Sequence, residues 1–140
     1  MGVDVENIIA REAAIEIAER YFAPTEVNFL RSLSKMEQQE CFFSYWTLKE
    51  AYIKARGRGL SIALDQFSFH HITPGAIDFE VSEHLRDDAA RWQFWLFQPA
   101  ADFLLALCAE RVQGGGISAC WMVPLGPEKE LPLETVWMSV

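Results

Sequence analysis

Residues 43–60 read FSYWTLKEAYIKARGRGL, and this stretch predicts the central helix of the protein. Apolar side chains recur at helical spacing from about Lys35 to Arg56, which gives the expected bounds of the helix. Gly57 stands where a helix C-cap needs a residue that can adopt a positive φ angle.

Two charged residues of this helix stand four positions apart. Glu50 and Lys54 therefore share one helix face. The helix could present a carboxylate to a metal ion and an ammonium group to a phosphate. An ordinary surface ion pair has the same spacing, and the two interpretations stay open on spacing alone.

The segments on either side of the helix predict further helices and a set of strands. Apolar residues of Ile8–Tyr21 repeat at helical spacing, and Thr25 can cap another helix after Pro24. The predicted strands are Gly2–Glu6, Phe67–Ile72, Ile77–Val81, Trp92–Phe97, Phe103–Ala109 and Ile117–Val123. The expected fold is α+β, with helices packed on an antiparallel sheet in a domain over residues 1–123 and an irregular tail over 124–140.

The first predicted strand carries a pair of acidic residues. Asp4 and Glu6 are two positions apart, so both carboxylates project from the same side of the strand. Two close carboxylates repel each other unless a positive group lies between them. Mg²⁺ prefers oxygen ligands and keeps waters in its shell, so it is a suitable partner. A solvated strand face has the same pattern.

Composition and charge exclude several classes of function. The chain has 140 residues, enough for one domain, and a formal net charge of −8, which argues against binding to nucleic acid. It has no apolar run long enough to cross a membrane and no basic, apolar leader, so a cytoplasmic protein is expected. Cys41, Cys108 and Cys120 form no close pair, and free thiols are expected.

A local excess of positive charge interrupts this acidic background. The stretch Lys49–Arg58 contains four basic residues and one acidic residue. Such a patch is a candidate anion site. Cations that complement the C-terminal end of the helix dipole explain the same pattern.

Together, the two motifs resemble the 4′-phosphopantetheinyl transferase superfamily, specifically its Sfp type. The resemblance rests on G-V-D-V-E at the start and on F-x-x-W-T-x-K-E-A-x-x-K-A-x-G-x-G-L in the helix. The matching residues are Gly2, Asp4, Glu6, Phe43, Trp46, Thr47, Lys49, Glu50, Ala51, Lys54, Ala55, Gly57, Gly59 and Leu60. It covers about residues 2 to 110 and implies the fold of that superfamily.

The resemblance also implies an activity, in which phosphopantetheine moves from coenzyme A to a serine of an acyl or peptidyl carrier protein. The residues matching Asp4, Glu6 and Glu50 hold Mg²⁺ against the coenzyme A pyrophosphate. Lys54 is expected to contact the phosphates, with Lys49 assisting in the same site. Glu50 and Lys54 are the expected catalytic residues. Either Glu50 or a water on the metal takes the serine proton.

The motifs match the second of the two similar halves that form Sfp-type enzymes. In the family, the first half supplies basic residues and a histidine to the coenzyme A site. His70, His71 and His84 follow the helix motif, so they are interpreted as strand or loop residues. The site could be completed in a homo-oligomer, with a dimer expected and a trimer like that of the short AcpS-type members as the alternative. A truncated, non-catalytic binding domain is the competing interpretation.

Overall fold

The computed structural model describes residues 1–73, 76–113 and 135–138. Within these ranges, no helix has the length and apolar character needed to span a bilayer. The helices are α1 (Ile15–Tyr21), α2 (Pro24–Ser32) and α3 (Lys35–Arg56), and the strands are β1 (Gly2–Asn7), β2 (Phe67–Thr73), β3 (Ala76–Val81), β4 (Trp92–Ala100), β5 (Phe103–Glu110) and β6 (Thr135–Met138). The predicted α+β class is confirmed.

The central helix has the predicted bounds. The Ser34 hydroxyl accepts a hydrogen bond from the Glu37 amide, and the Glu37 carboxylate accepts one from the Ser34 amide at 3.0 Å, a reciprocal N-terminal cap. At the other end, Gly57 ends α3 with a φ of 65°, the left-handed conformation predicted for it.

The first two helices differ from their sequence-based predictions. The predicted helix from Ile8 to Tyr21 begins only at Ile15. The Asn7 side chain accepts hydrogen bonds from the amides of Ile9 and Ala10, and the Gln39 side chain accepts one from the amide of Ala13, so side chains hold this segment in turns. The predicted Thr25 cap is wrong. The cap residue of α2 is Ala23, whose amide donates to the Glu26 carboxylate at 3.1 Å.

The strands form two antiparallel sheets. The order in the larger sheet is β1-β5-β4-β6, and β2 pairs with β3 in the smaller one. The predicted hairpin of β4 and β5 is confirmed. The expectation of an irregular tail is wrong at Thr135–Met138, which pairs with β4. The remaining tail, the predicted strand Ile117–Val123 and Cys120 lie outside the described residues.

The main core lies between α3 and the inner face of the larger sheet. Buried residues of α3 such as Phe43 and Leu48 belong to the same cluster as Phe94 of β4 and Leu104 of β5. Residues at alternate positions of β4 and β5 point to opposite faces of the sheet, so Trp95, Phe97, Leu105 and Leu107 form a second apolar cluster on the other face. The helix therefore packs on the inner face of the sheet, in contact with β1 and β5.

A buried polar network attaches the C-terminal part of α3 to the turn before β4. The Asp87 carboxylate accepts hydrogen bonds from the Tyr52 hydroxyl at 2.5 Å, from the Trp92 indole at 2.8 Å and from the Arg56 guanidinium. Burial of Asp87 opposes its ionisation, but these bonds and one from the Asp88 amide outweigh it and lower the pKa of Asp87.

We expect Asp87→Asn to lower the free energy of unfolding at pH 7 by about 3 kcal/mol, because it leaves Arg56 without its buried anion. Since the folded pKa of Asp87 is lowered, its contribution is present above its ordinary pKa of 3.8 and is lost as the pH falls through the folded value. Urea unfolding at several pH values measures this. Equal stability of the variant and the wild type at pH 7 would contradict it.

Candidate functional site

The register of β1 turns its two acidic residues toward α3. Asp4 lies opposite Ala106 and Glu6 opposite Leu104, and both partners belong to the core on the helix side of the sheet. A Cβ atom on Gly2 would lie only 2.0 Å from the Ala51 carbonyl oxygen. The helix therefore passes almost in contact with the start of β1, and only glycine fits at this crossing.

One face of α3 lies along the acidic face of β1. Trp46, Glu50 and Lys54 follow each other at intervals of four residues, so they form a row on the helix. The Trp46 indole donates to Glu6 Oε1 at 3.0 Å, and Lys54 Nζ lies 2.7 Å from Asp4 Oδ1. Helix and strand run in opposite directions, and Glu50 lies between these two contacts in the row.

The carboxylates of this face are incompletely neutralised. Asp4 is buried, and its Oδ2 atom has no hydrogen-bond partner in the described part of the chain. Burial raises the pKa of Glu50, and the negative charges of Asp4 and Glu6 raise it further against the opposing effect of Lys54. An additional cation would give Asp4 Oδ2 a partner and would favour the ionised form of Glu50. These oxygen donors therefore fit a hard divalent metal ion.

The side chains are nevertheless not arranged as a complete set of metal ligands. Within residues 1–73, 76–113 and 135–138, no three His, Cys, Asp or Glu side chains are close enough to hold one ion. Each Glu6 oxygen has a protein partner, since Arg11 donates to Oε2 at 2.9 Å while Trp46 holds Oε1. Lys54 similarly occupies one oxygen of Asp4. A metal ion would share these oxygens with their partners, whereas Asp4 Oδ2 has no partner in the described part of the chain.

Lys49 does not lie with the other site residues. It is fully buried, and its Nζ atom lies 2.9 Å from Glu26 Oε2 and donates to the carbonyl oxygens of Leu64 and Phe67 at 2.7 and 2.8 Å. Burial lowers the pKa of Lys49, and the Glu26 carboxylate opposes this. The expectation that Lys49 contacts coenzyme A is therefore corrected, because its ammonium group points into the core.

The predicted basic patch over Lys49–Arg58 is smaller than its composition suggests. Lys49 is in the core, and Arg56 is held by the buried Asp87 carboxylate. Lys54 is about half exposed and lies beside Asp4. Of these residues, Lys54 is thus the cation placed at the acidic face of β1.

A groove of about 620 Å³ opens beside Glu50. The segment Ile62–Asp65 forms one wall, Ile17 and Tyr21 of α1 contribute to the lining, and Trp46 lines it next to Glu50. The sequence motifs did not predict this groove, because its wall belongs to an irregular segment with no periodic pattern. Arg11 and the contact of Trp46 with Glu6 were also missed.

Comparison with known proteins identifies the family. A sequence model of the 4′-phosphopantetheinyl transferase superfamily matches residues 1–108. The 4′-phosphopantetheinyl transferase Sfp of Bacillus subtilis strain 168 is 32% identical over 109 residues, which are 78% of this chain and 46% of that protein. The L-aminoadipate-semialdehyde dehydrogenase-phosphopantetheinyl transferase of Xenopus laevis is 30% identical over 100 residues, which are 67% of this chain and 33% of that protein. The chain thus spans about half the length or less of these relatives.

Solved structures share the fold at lower sequence identity. The holo-[acyl-carrier-protein] synthase of Thermotoga maritima superposes with a TM-score of 0.59 at 22% identity, over 76% of this chain and 60% of that one. The Helicobacter pylori synthase, solved in complex with coenzyme A, gives a TM-score of 0.59 at 17% identity, over 79% of this chain and 98% of that one. Because the superfamily model matches residues 1–108, which are most of this chain, the chain belongs to the 4′-phosphopantetheinyl transferase superfamily.

Proposed function

We propose that this chain takes part in the Mg²⁺-dependent transfer of phosphopantetheine from coenzyme A to a serine of an acyl or peptidyl carrier protein. The observation that carries the proposal is that a charged face of α3 packs against the acidic face of β1. Glu50 and Lys54 of α3 lie against Asp4 and Glu6 of β1, and one Asp4 oxygen there is buried without a partner.

Asp4, Glu6 and Glu50 are the residues that would hold Mg²⁺. Three carboxylates supply the oxygen ligands that this ion prefers. When bound, the ion would neutralise negative charge on the pyrophosphate and on the leaving phosphate. Support comes from the unpaired Asp4 Oδ2 atom and from the pKa of Glu50, which is raised by burial first and then by the negative charges of Asp4 and Glu6.

Lys54 would bind a phosphate of coenzyme A. Its side chain is about half exposed, and its ammonium group lies at the edge of the acidic face. In the proposed reaction the carrier serine oxygen bonds to the β-phosphorus atom, the bond to the bridging oxygen breaks, and 3′,5′-ADP leaves. Lys54 stabilises the charge that develops on the leaving phosphate. The serine proton passes to Glu50 or to solvent.

The competing function is that of a binding domain without catalysis. This chain covers 46% of the length of the Bacillus subtilis Sfp protein. A binding domain would retain affinity for coenzyme A but would leave the carrier protein unmodified.

Coenzyme A binding is expected to depend on both Mg²⁺ and Lys54. Calorimetric titration of the chain with coenzyme A should give tighter binding with Mg²⁺ than with excess chelator, and Lys54→Ala should weaken binding about tenfold through the loss of one charged hydrogen bond. Lys35→Ala, at the exposed start of α3, is the matched control and should bind normally. Equal affinities for Lys54→Ala and the wild type would contradict the role of Lys54.

We further propose that the chain assembles as a homo-oligomer, a dimer first and a trimer as the alternative, with the acidic face near the interface. Val3 and Val5 support the association, because they are 42% and 40% exposed on the outer face of β1, opposite to Asp4 and Glu6. The acidic face would lie near such an interface because β1 is an edge strand of the sheet formed by the described residues. Light scattering at tens of micromolar protein should give a multiple of 16.0 kDa, and Val5→Glu should shift the mass toward the monomer. A wild-type mass of one chain would contradict the proposal.

A further inference from the structure

The ion pair between Lys49 and Glu26 is the most deeply buried charged contact beside the proposed site. The exposed fractions of their side chains are 1% and 0%. A buried pair of this kind gains little net stability over apolar residues, because both charges must leave water. Its hydrogen bonds therefore suggest a role in fixing geometry.

These hydrogen bonds connect three separate parts of the fold. Glu26 Oε2 accepts from the Ala23 amide at the start of α2, and Glu26 Oε1 accepts from the Phe69 amide of β2 at 2.9 Å. On the other side of the pair, Lys49 donates to the carbonyl groups of Leu64 and Phe67. The pair thus links the middle of α3 to the start of α2 and to the segment that leads into β2.

One of these contacts lies on the groove itself. Leu64 belongs to the wall formed by Ile62–Asp65, and its carbonyl oxygen accepts a hydrogen bond from the buried Lys49 ammonium group. The chain reaches this wall from α3 through Gly57 and Gly59, which both have positive φ angles. Because glycines restrict the backbone little, the position of the wall depends on contacts such as the one from Lys49.

We propose that Lys49 and Glu26 are positioning residues that hold the Ile62–Asp65 wall of the groove beside Glu50. The function of the groove rests on the proposed transfer reaction, whereas the placement of the wall does not. Lys49 then serves the site through the backbone of the wall and makes no contact with phosphate. Its position next to Glu50 in the sequence places the supporting residue and the acidic residue on adjacent faces of the same helix turn.

The double variant Glu26→Gln/Lys49→Met separates positioning from stability. Lys49→Met alone leaves Glu26 as an unpaired buried charge and should show the largest drop in melting temperature. The double variant removes both charges and fills the volume of the lysine stem. It should recover part of the melting temperature, because the glutamine has one carbonyl oxygen and can accept from only one of the Ala23 and Phe69 amides. It still lacks the donors to Leu64 and Phe67, so the wall should be loosened while the rest of the chain remains folded.

Hydrogen–deuterium exchange and steady-state kinetics provide the two readouts. In the double variant, amides of residues 62–69 should exchange at least tenfold faster relative to those of β4 and β5. The KM for coenzyme A or for the carrier protein should rise at least tenfold, with a smaller change in kcat. Asp87→Asn, which weakens a different buried network, is the matched control and should leave the relative exchange of residues 62–69 unchanged.

Each result decides one part of the proposal. A double variant with recovered melting temperature, wild-type exchange and wild-type kinetics would show that the pair is only structural, and would overturn the proposal. Faster exchange with unchanged KM values would overturn the link between the wall and the groove's function. A wild-type chain without transfer activity would contradict the proposed function, while the exchange measurement would still decide whether Lys49 and Glu26 hold the wall.

Discussion

Glu50→Gln is expected to lower the rate of phosphopantetheine transfer by at least a hundredfold. The substitution keeps the shape of the side chain but removes the negative charge of a proposed metal ligand and proton acceptor. The fold should be retained, and the melting temperature should stay level or rise, because burial and the charges of Asp4 and Glu6 disfavour the ionised form of Glu50. Single-turnover transfer rates and thermal unfolding measure the two effects.

Glu40→Gln is the matched control for this variant, since Glu40 is an exposed glutamate on the same helix. It should transfer at the wild-type rate. Calorimetric titration with Mg²⁺ adds a readout that does not depend on turnover, and Glu50→Gln should bind the ion at least tenfold more weakly. Retention of most of the activity and of the Mg²⁺ affinity in Glu50→Gln would remove Glu50 from the proposed site.

Gly2→Ala should destabilise the fold by about 3 kcal/mol, because overpacking at a close backbone contact forces the elements apart. The added Cβ would lie 2.0 Å from the Ala51 carbonyl oxygen and 2.4 Å from the Ala55 amide nitrogen, and neither backbone atom can turn away as a side chain would. The same separation would move Asp4 away from Lys54, so Mg²⁺ and coenzyme A should both bind more weakly.

Val3→Thr is the control for Gly2→Ala, because it alters the next residue of β1 on the outer face with little change in volume. Chemical denaturation of the two variants compares their free energies of unfolding. If Gly2→Ala is as stable as Val3→Thr and binds coenzyme A normally, the close crossing of β1 and α3 does not set the geometry of the site.

The sequence predicted the central helix well because its signals are local. The glycine at its C-terminal end and its apolar periodicity lie within a few residues of the positions that they determine. The acidic face of β1 was predicted for the same reason, since alternation along a strand fixes which side chains share a face. By contrast, the start of α1 depended on an Asn7 side chain that competes with helix formation.

The direction of Lys49 could not be derived from spacing alone. Residues three and four positions apart both share a helix face, so Trp46 could be grouped with Lys49 or with Glu50. The structure places Trp46 in the row with Glu50 and turns Lys49 to Glu26, a residue 23 positions earlier in the chain. Which of the two groupings forms depends on where α2 packs, because α2 carries Glu26, the partner of Lys49. The long-range pairing of Thr135–Met138 with β4 was missed for a similar reason.

The measurement that tests the account most directly is the mass of a carrier protein after incubation with this chain, coenzyme A and Mg²⁺. Intact-mass spectrometry should show the carrier gaining one phosphopantetheine group. The gain should be absent with excess chelator, with a carrier whose acceptor serine is changed to alanine, and with Glu50→Gln. A carrier that keeps its original mass, while the chain is folded and binds coenzyme A, would contradict the transferase function and leave the binding domain in its place.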